Sequence, residues 1–223
     1  MRIVIGAQED LRAEFARLPA ALLERARGFN ERRRLGFLAG RTLLLAALKG
    51  FYGLSELPEI KRGARGKPEF SEAGLPAFSL THSGALAAAA VGTAPQGLDL
   101  EQVKPRGRAL WERVLNRQEL DFLRARGDEL TPFLLWTLRE ALLKTDGRGL
   151  GGLGALRVDP FSQTVQYAGP VRGRLISWSL RPGALMALSA FAGGAGEPEL
   201  WRYAHGSLSA LCLEERARYR VNP

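Results

Sequence analysis

Apolar residues along this chain switch between two spacings, and the switches mark out its elements. Arg2 to Gly6 is a short apolar run that predicts a strand. From about Leu11 to Phe29 the apolar positions recur at helical spacing. Asn30 suits the cap of a further helix reaching roughly Phe51, with apolar residues on one face and arginines on another. Segment 61–76, rich in Gly and Pro with four basic residues, predicts a loop. Ala77 to Leu80 predicts a strand, and Gly97 to Val103 alternates like one. Between them, 85–92 (ALAAAAVG) stays open: alanine favours a helix, while a short run between glycines suits a buried strand.

The second half follows the same order, helices before strands. Two short helices are expected over 107–127 and a third over 131–145, opened by Thr131 as cap with Pro132 in the first turn and stopped at Gly147. Strands follow over 155–158, 164–168, 173–181 and 184–192, the last two joined at Pro182-Gly183. A strand over 199–204 and a closing helix over 206–218 complete the chain. This is an α+β pattern with two similar-sized lobes, 1–104 and 105–223, divided near 103–107.

Composition narrows the picture. With 223 residues, 46% hydrophobic and 25% charged, the chain can bury a core without staples. Its single cysteine, Cys212, permits no internal disulfide; apolar neighbours suggest a core position, and a reducing cytoplasm is the expected compartment. The opening apolar run is too short for a signal segment, and no run is expected to span a bilayer. A net charge of +9 favours an anionic partner. Nucleic acid is not the expected one, since no basic helix interleaved with aromatics, zinc spacing or RNA-binding signature accompanies the charge. No membrane partner is expected either.

Four groups of residues carry candidate chemistry. Asp99 and Glu101, at i and i+2 on a strand, point to one face. They are either acidic decoration of an edge strand or a pair whose repulsion a hard cation such as magnesium relieves. The helix TPFLLWTLREALLKTDG is apolar nearly all round, yet Trp136, Glu140 and Lys144 share one stripe. That stripe either lines a cleft or is an exposed i,i+4 ion pair. FSLTHSG ends a strand in Thr81, His82 and Ser83, where hydroxyls, an imidazole and backbone N–H groups suit a phosphate. Lys67, between Gly66 and Pro68, is held extended where backbone can approach a ligand, or is a solvated loop lysine.

Taken in order, GKPEF, FSLTHSG, GLDLE and WTLREALLK over about 30–156 resemble the 4′-phosphopantetheinyl transferases, most closely the two-lobed monomeric branch of the surfactin-synthetase-activator and enterobactin type. The resemblance implies two α+β lobes related by a pseudo-twofold axis with a ligand cleft between them. It implies transfer of phosphopantetheine from coenzyme A to a serine of an acidic apo carrier protein, with magnesium as cofactor and 3′,5′-ADP as product. By position, Asp99, Glu101 and Glu140 match the metal carboxylates, Lys144 the phosphate-contacting lysine, and Lys67 the lysine near the nucleotide. Thr81 and His82 match the pair that holds the 3′-phosphate. Glu119 matches a glutamate placed near the reacting serine, although Asn116-x-x-Glu119 also reads as a capping box.

Three positions depart from the family pattern. Arg139 stands where lysine is usual, and Ser79 where asparagine is usual. Arg34 and Arg41 compete for the N-terminal phosphate-binding role, with Leu45 where many relatives are basic. Either Glu140 or Glu119 would accept the serine proton, and Glu140 is preferred because it can hold both metal and water. The rival readings are another magnesium-dependent phosphotransferase, which leaves His82 and Lys67 without a role, and a basic nucleic-acid-binding protein, which leaves the three carboxylates unexplained.

Overall fold

The computed structural model of the chain describes residues 1–63, 65–194 and 196–223; Ala64, inside the loop expected over 61–76, and Ala195 lie outside the described residues. In chain order come β1 (Arg2–Ala7), a 3-10 turn (Arg12–Arg17), α1 (Ala20–Arg27), α2 (Glu31–Tyr52), β2 (Ile60–Arg62), β3 (Pro68–Phe70), β4 (Ala77–Ser83), β5 (Leu86–Gly92) and β6 (Gly97–Gln102). Then follow α3 (Arg108–Val114), α4 (Arg117–Arg126), α5 (Thr131–Asp146), a second 3-10 turn (Gly149–Ala155), β7 (Leu156–Asp159), β8 (Thr164–Tyr167), β9 (Gly173–Leu180), β10 (Met186–Ala192), β11 (Glu199–Ala204), β12 (Ser207–Ala210) and β13 (Glu214–Val221). The α+β class expected from the pattern is observed. Two compact units divide the chain, Met1–Gln96 with Glu197–Cys212, and Gly97–Gly196 with Leu213–Pro223.

The first unit is a five-stranded sheet in the order β12-β11-β1-β5-β4, with α2 packed on β4, β5 and β1. Every residue of β5 is buried. Its place between β1 and β4 gives its backbone partners on both sides, and this tertiary pairing overrides alanine's preference for helix. Small side chains there also let α2 approach closely, and Leu43, Leu44, Ala47 and Leu48 close the core over Ala87, Ala89 and Val91. Asn30 caps α2 by accepting the Arg33 N–H at 2.9 Å, and Gly53 ends the helix at φ +71°. Against expectation, α2 has the length and apolar content of a membrane span, yet 61% of its most apolar stretch is buried inside this unit. The helix expected over 11–29 is split at Leu18, which is extended before Pro19, into the 3-10 turn and α1.

The second unit is a six-stranded sheet in the order β6-β10-β9-β13-β8-β7, covered by α5, which packs on β6, β10 and β9. Its core joins Leu135, Leu138 and Leu142 of α5 to Leu175, Ala187 and Phe191 of the sheet. The division expected near 103–107 therefore falls too late. β6 pairs with β10, Asp99 opposite Ser189 and Glu101 opposite Ala187, so the strand of the two carboxylates belongs to the second unit. Residues Glu197–Cys212 return to the first, where β11 pairs with β1 in parallel.

Two further corrections concern the C-terminal half. The closing helix over 206–218 is instead β12 and β13: Ala217, Tyr219 and Val221 turn inward between Arg218 and Arg220, a period of two. Cys212 is exposed in the link between those strands, not a core residue. Nor does Thr131 cap α5. Asp128 does so, accepting the Leu130 and Thr131 N–H groups at 2.9 and 2.7 Å, while the Thr131 hydroxyl donates to its other oxygen.

Candidate active site

The second unit gathers four of the residues singled out from the sequence. Gly97, Asp99 and Glu101 alternate along β6 and share the face that α5 covers. Gly97 allows the contact: a Cβ there would stand 1.9 Å from the Ala141 carbonyl oxygen and 2.5 Å from the Thr145 hydroxyl. Any side chain at this position would push α5 away from the strand. The glycine of the G-x-D-x-E pattern thus has a packing reason that its sequence alone did not disclose.

With α5 seated so closely, Lys144 donates from Nζ to Asp99 Oδ1 at 2.6 Å, and Asp99 is buried, 4% exposed. Lys144 therefore pairs across to β6, not with Glu140 on its own helix. Glu140 lies between the other charges. Burial pushes its carboxyl above the usual carboxylate range, Asp99 and Glu101 add to that rise, and Lys144 opposes it. Its Oε1 is buried with no hydrogen-bond partner.

An orphaned carboxylate oxygen beside two further carboxylates is what a hard divalent cation would satisfy. The donor set of Asp99, Glu101 and Glu140 fits magnesium in chemistry. Among the described residues, however, no three acidic, imidazole or thiol groups already converge as a metal cluster, and Lys144 stands on Asp99.

Glu119 is built differently. It is fully buried, and Arg139 clamps it with Nε on Oε1 at 3.0 Å and Nη2 on Oε2. The capping box is present as well: Glu119 Oε2 accepts the Asn116 N–H at 2.7 Å, and Asn116 Oδ1 accepts the Glu119 N–H at 3.0 Å. Burial raises its carboxyl, while Arg139 and the Asn116 N–H pull it down. Every oxygen of Glu119 is committed to holding α4 against α5.

The remaining candidates lie in the first unit. Lys67 donates from Nζ to the Gln96 carbonyl at 2.8 Å, beside Gly66 at φ +79°. Thr81 is buried near the end of β4, and the next residue, His82, is exposed. The imidazole of His82 rests on α2 at Gly36, where a Cβ would come within 2.5 Å of the ring. Gly36 is a residue that sequence reasoning passed over, and a glycine inside a helical run was its only signal.

Arg41 is buried, its guanidinium 3.4 Å over the Phe37 ring and its Nη1 donating to the Phe37 carbonyl at 2.9 Å. Its Nε has no hydrogen-bond partner, and burial together with Arg25 lowers its pKa to about 10. Arg34 is exposed. Of the two competing arginines, Arg41 is the buried cation with hydrogen-bonding capacity to spare.

Fold and site together define an α+β protein with a carboxylate–lysine cluster on one unit and a lysine, histidine and buried arginine on the other. Comparison with known proteins gives that class its family. The family model of the 4′-phosphopantetheinyl transferase superfamily matches residues 95–185, the stretch that carries all four cluster residues. The chain is 38% identical over 154 residues to the 4′-phosphopantetheinyl transferase AcpT of Salmonella typhi, covering 66% of this chain and 74% of that one. It is 31% identical over 109 residues to the 4′-phosphopantetheinyl transferase Sfp of Bacillus subtilis, covering 48% and 47%. It is also 41% identical over 86 residues to the uncharacterized protein YieE of Escherichia coli K12, of whose length it spans about a third (34%). This chain belongs to the 4′-phosphopantetheinyl transferase superfamily.

Proposed function

We propose that the protein transfers the 4′-phosphopantetheine group of coenzyme A to a serine of an apo carrier protein and releases 3′,5′-ADP. The observation that carries this reading is the seating of β6 on α5 through Gly97, which brings Asp99 and Glu101 against Glu140 and Lys144. Asp99, Glu101 and Glu140 would hold magnesium, which when bound supplies positive charge to the pyrophosphate. Lys144, one helical turn from Glu140, would leave Asp99 for a phosphate oxygen. Lys67, Thr81 and His82 would hold the nucleotide end. Arg41 rather than Arg34 would add the N-terminal phosphate contact, supported by its burial and unpartnered Nε.

In the reaction the serine oxygen forms a bond to the pantetheine-side phosphorus, and the bond from that phosphorus to the bridging oxygen breaks. The leaving phosphate carries that electron pair away with 3′,5′-ADP. The serine proton passes to Glu140, directly or through water, because Glu119 is bound to Arg139. Most of the catalytic effect would come from positioning and charge neutralisation. The net charge of +9 would steer an acidic carrier, so added salt should raise the KM for that partner. The protein is taken to act as a monomer in the cytoplasm.

The test is to mix the protein with coenzyme A, magnesium chloride and a set of apo acyl and peptidyl carrier proteins, then weigh the carriers. A gain of one phosphopantetheine on the acceptor serine, absent when magnesium is chelated, is expected. No gain on any carrier would overturn the reading.

A further inference from the structure

A cavity lies in the first unit, lined by neither Lys67, Thr81, His82 nor Arg41. It measures about 410 Å³, within the range of small-molecule sites. Its floor is the C-terminal half of α2, at Leu45 and Ala46, and one wall is the hairpin of β11 and β12, with Tyr203 and Leu208. Thr81 and His82 sit on β4, at the opposite edge of the same sheet. Four strand spacings, about 19 Å, separate β12 from β4. The hairpin turn is built to form this wall: His205 and Gly206 both take positive φ, +50° and +79°, as a two-residue turn between twisted strands requires.

The charges around the cavity select its ligand. Glu14 Oε2 accepts the Tyr203 hydroxyl at 2.6 Å and faces Arg17 Nη1 at 3.3 Å, so Glu14 and Arg17 offset each other in charge. Lys49, on the α2 side, has no acidic partner among the described residues, and it is exposed at the cavity with Leu45 one turn away. With Glu14 and Arg17 offsetting each other, Lys49 leaves one net positive charge beside the apolar surface of Leu45 and Ala46, which suits a single negative charge on an aliphatic tail. We propose that this cavity binds a small amphiphilic monoanion, an aliphatic carboxylate whose chain lies on Leu45, Ala46 and Leu208 and whose head meets Lys49.

The probe is octanoate, titrated into the full-length protein by calorimetry in the presence and absence of saturating coenzyme A. Saturable one-to-one binding with a dissociation constant below about 1 mM is expected, unchanged by coenzyme A. Octan-1-ol and octylammonium should each bind at least about tenfold more weakly, since neither can pair with the ammonium. Lys49→Glu should weaken octanoate by about tenfold or more, and Ala46→Trp, which fills the floor, should abolish binding. Should Ala46→Trp fail to fold by circular dichroism, the exposed Lys49→Glu change decides alone. Absence of saturation, equal binding of octanol, indifference to Lys49→Glu, or displacement by coenzyme A would each overturn the proposal. None of these outcomes depends on whether the carrier-modifying reaction occurs.

Discussion

Arg139 and Glu140 are neighbours on α5, yet the clusters they belong to are opposites. Arg139 meets Glu119 in a closed pair: both side chains are buried, both carboxylate oxygens are bonded, and a capping box takes up what remains. Glu140 meets Asp99, Glu101 and Lys144 in an open set, with three carboxylates, one ammonium and an orphaned buried oxygen. A buried charge with all its partners present holds the fold together. A buried charge with a partner missing is held in place by the fold at some cost, and it is there that a ligand has something to supply.

The sharpest way to break this contrast is to remove each glutamate in turn. Glu119→Ala would strand the Arg139 guanidinium in the core, and an uncompensated buried charge costs about 3–5 kcal/mol. Urea unfolding should show that loss as a lower midpoint, with activity falling only as far as folding does. If Glu119→Gln instead keeps the unfolding midpoint and abolishes carrier modification, Glu119 takes part in the chemistry and the contrast fails.

Glu140→Gln should behave in the reverse way. Carrier modification should fall on the order of 100–1,000-fold, the scale for losing one preorganised electrostatic group. Stability should hold or rise slightly, because one of three mutually repelling carboxylates is gone. Initial rates by mass spectrometry and urea midpoints on the same samples check both halves. A marked loss of stability in Glu140→Gln would mean that its site is as structural as that of Glu119.

Gly97→Ala separates geometry from charge. Its methyl group would meet the Ala141 carbonyl, so β6 and α5 must part. A strained insertion of this kind costs about 1–3 kcal/mol. Activity should drop further than that loss explains, since Asp99 and Glu101 move off Glu140 while every charged residue is retained. Comparison of rate with folded fraction tests this, and an enzyme of normal rate would show that the close seating is not needed.

Much of this was readable in the sequence, and the failures have physical causes. The strand of Asp99 and Glu101 and the helix of Glu140 and Lys144 were expected where they stand, because their periods and breakers are local. The unit boundary was not, because β6 pairs with β10 some 90 residues later and no local pattern records that pairing. The C-terminal helix is a strand instead, and the alternation from Ala217 to Val221 was the local signal for it. Glu119 was named for its place in a motif; only the position of Arg139 across the α4–α5 contact reveals that it is already fully bonded.

A third carboxylate extends the contrast to the first unit and gives the smallest expected effect. Glu14 stands between the two: its Oε2 alone accepts the Tyr203 hydroxyl and faces Arg17. Burial, and then Glu14, raise the Tyr203 phenol to about 12 from the ordinary value near 10. Between those values the folded protein keeps a proton that the unfolded chain has lost. The stabilisation this provides is therefore complete below about pH 10 and disappears as pH rises through about 12. In Tyr203→Phe the loss of stability over that window should be shallower than in the parent, with the remainder left to other buried phenols such as Tyr219, also raised by burial. Urea midpoints measured from pH 9 to 12 would show it. Parallel curves for the two proteins would mean that the phenol is neither buried nor held by Glu14 in solution, and that the wall of the cavity is looser than the hydrogen bond implies.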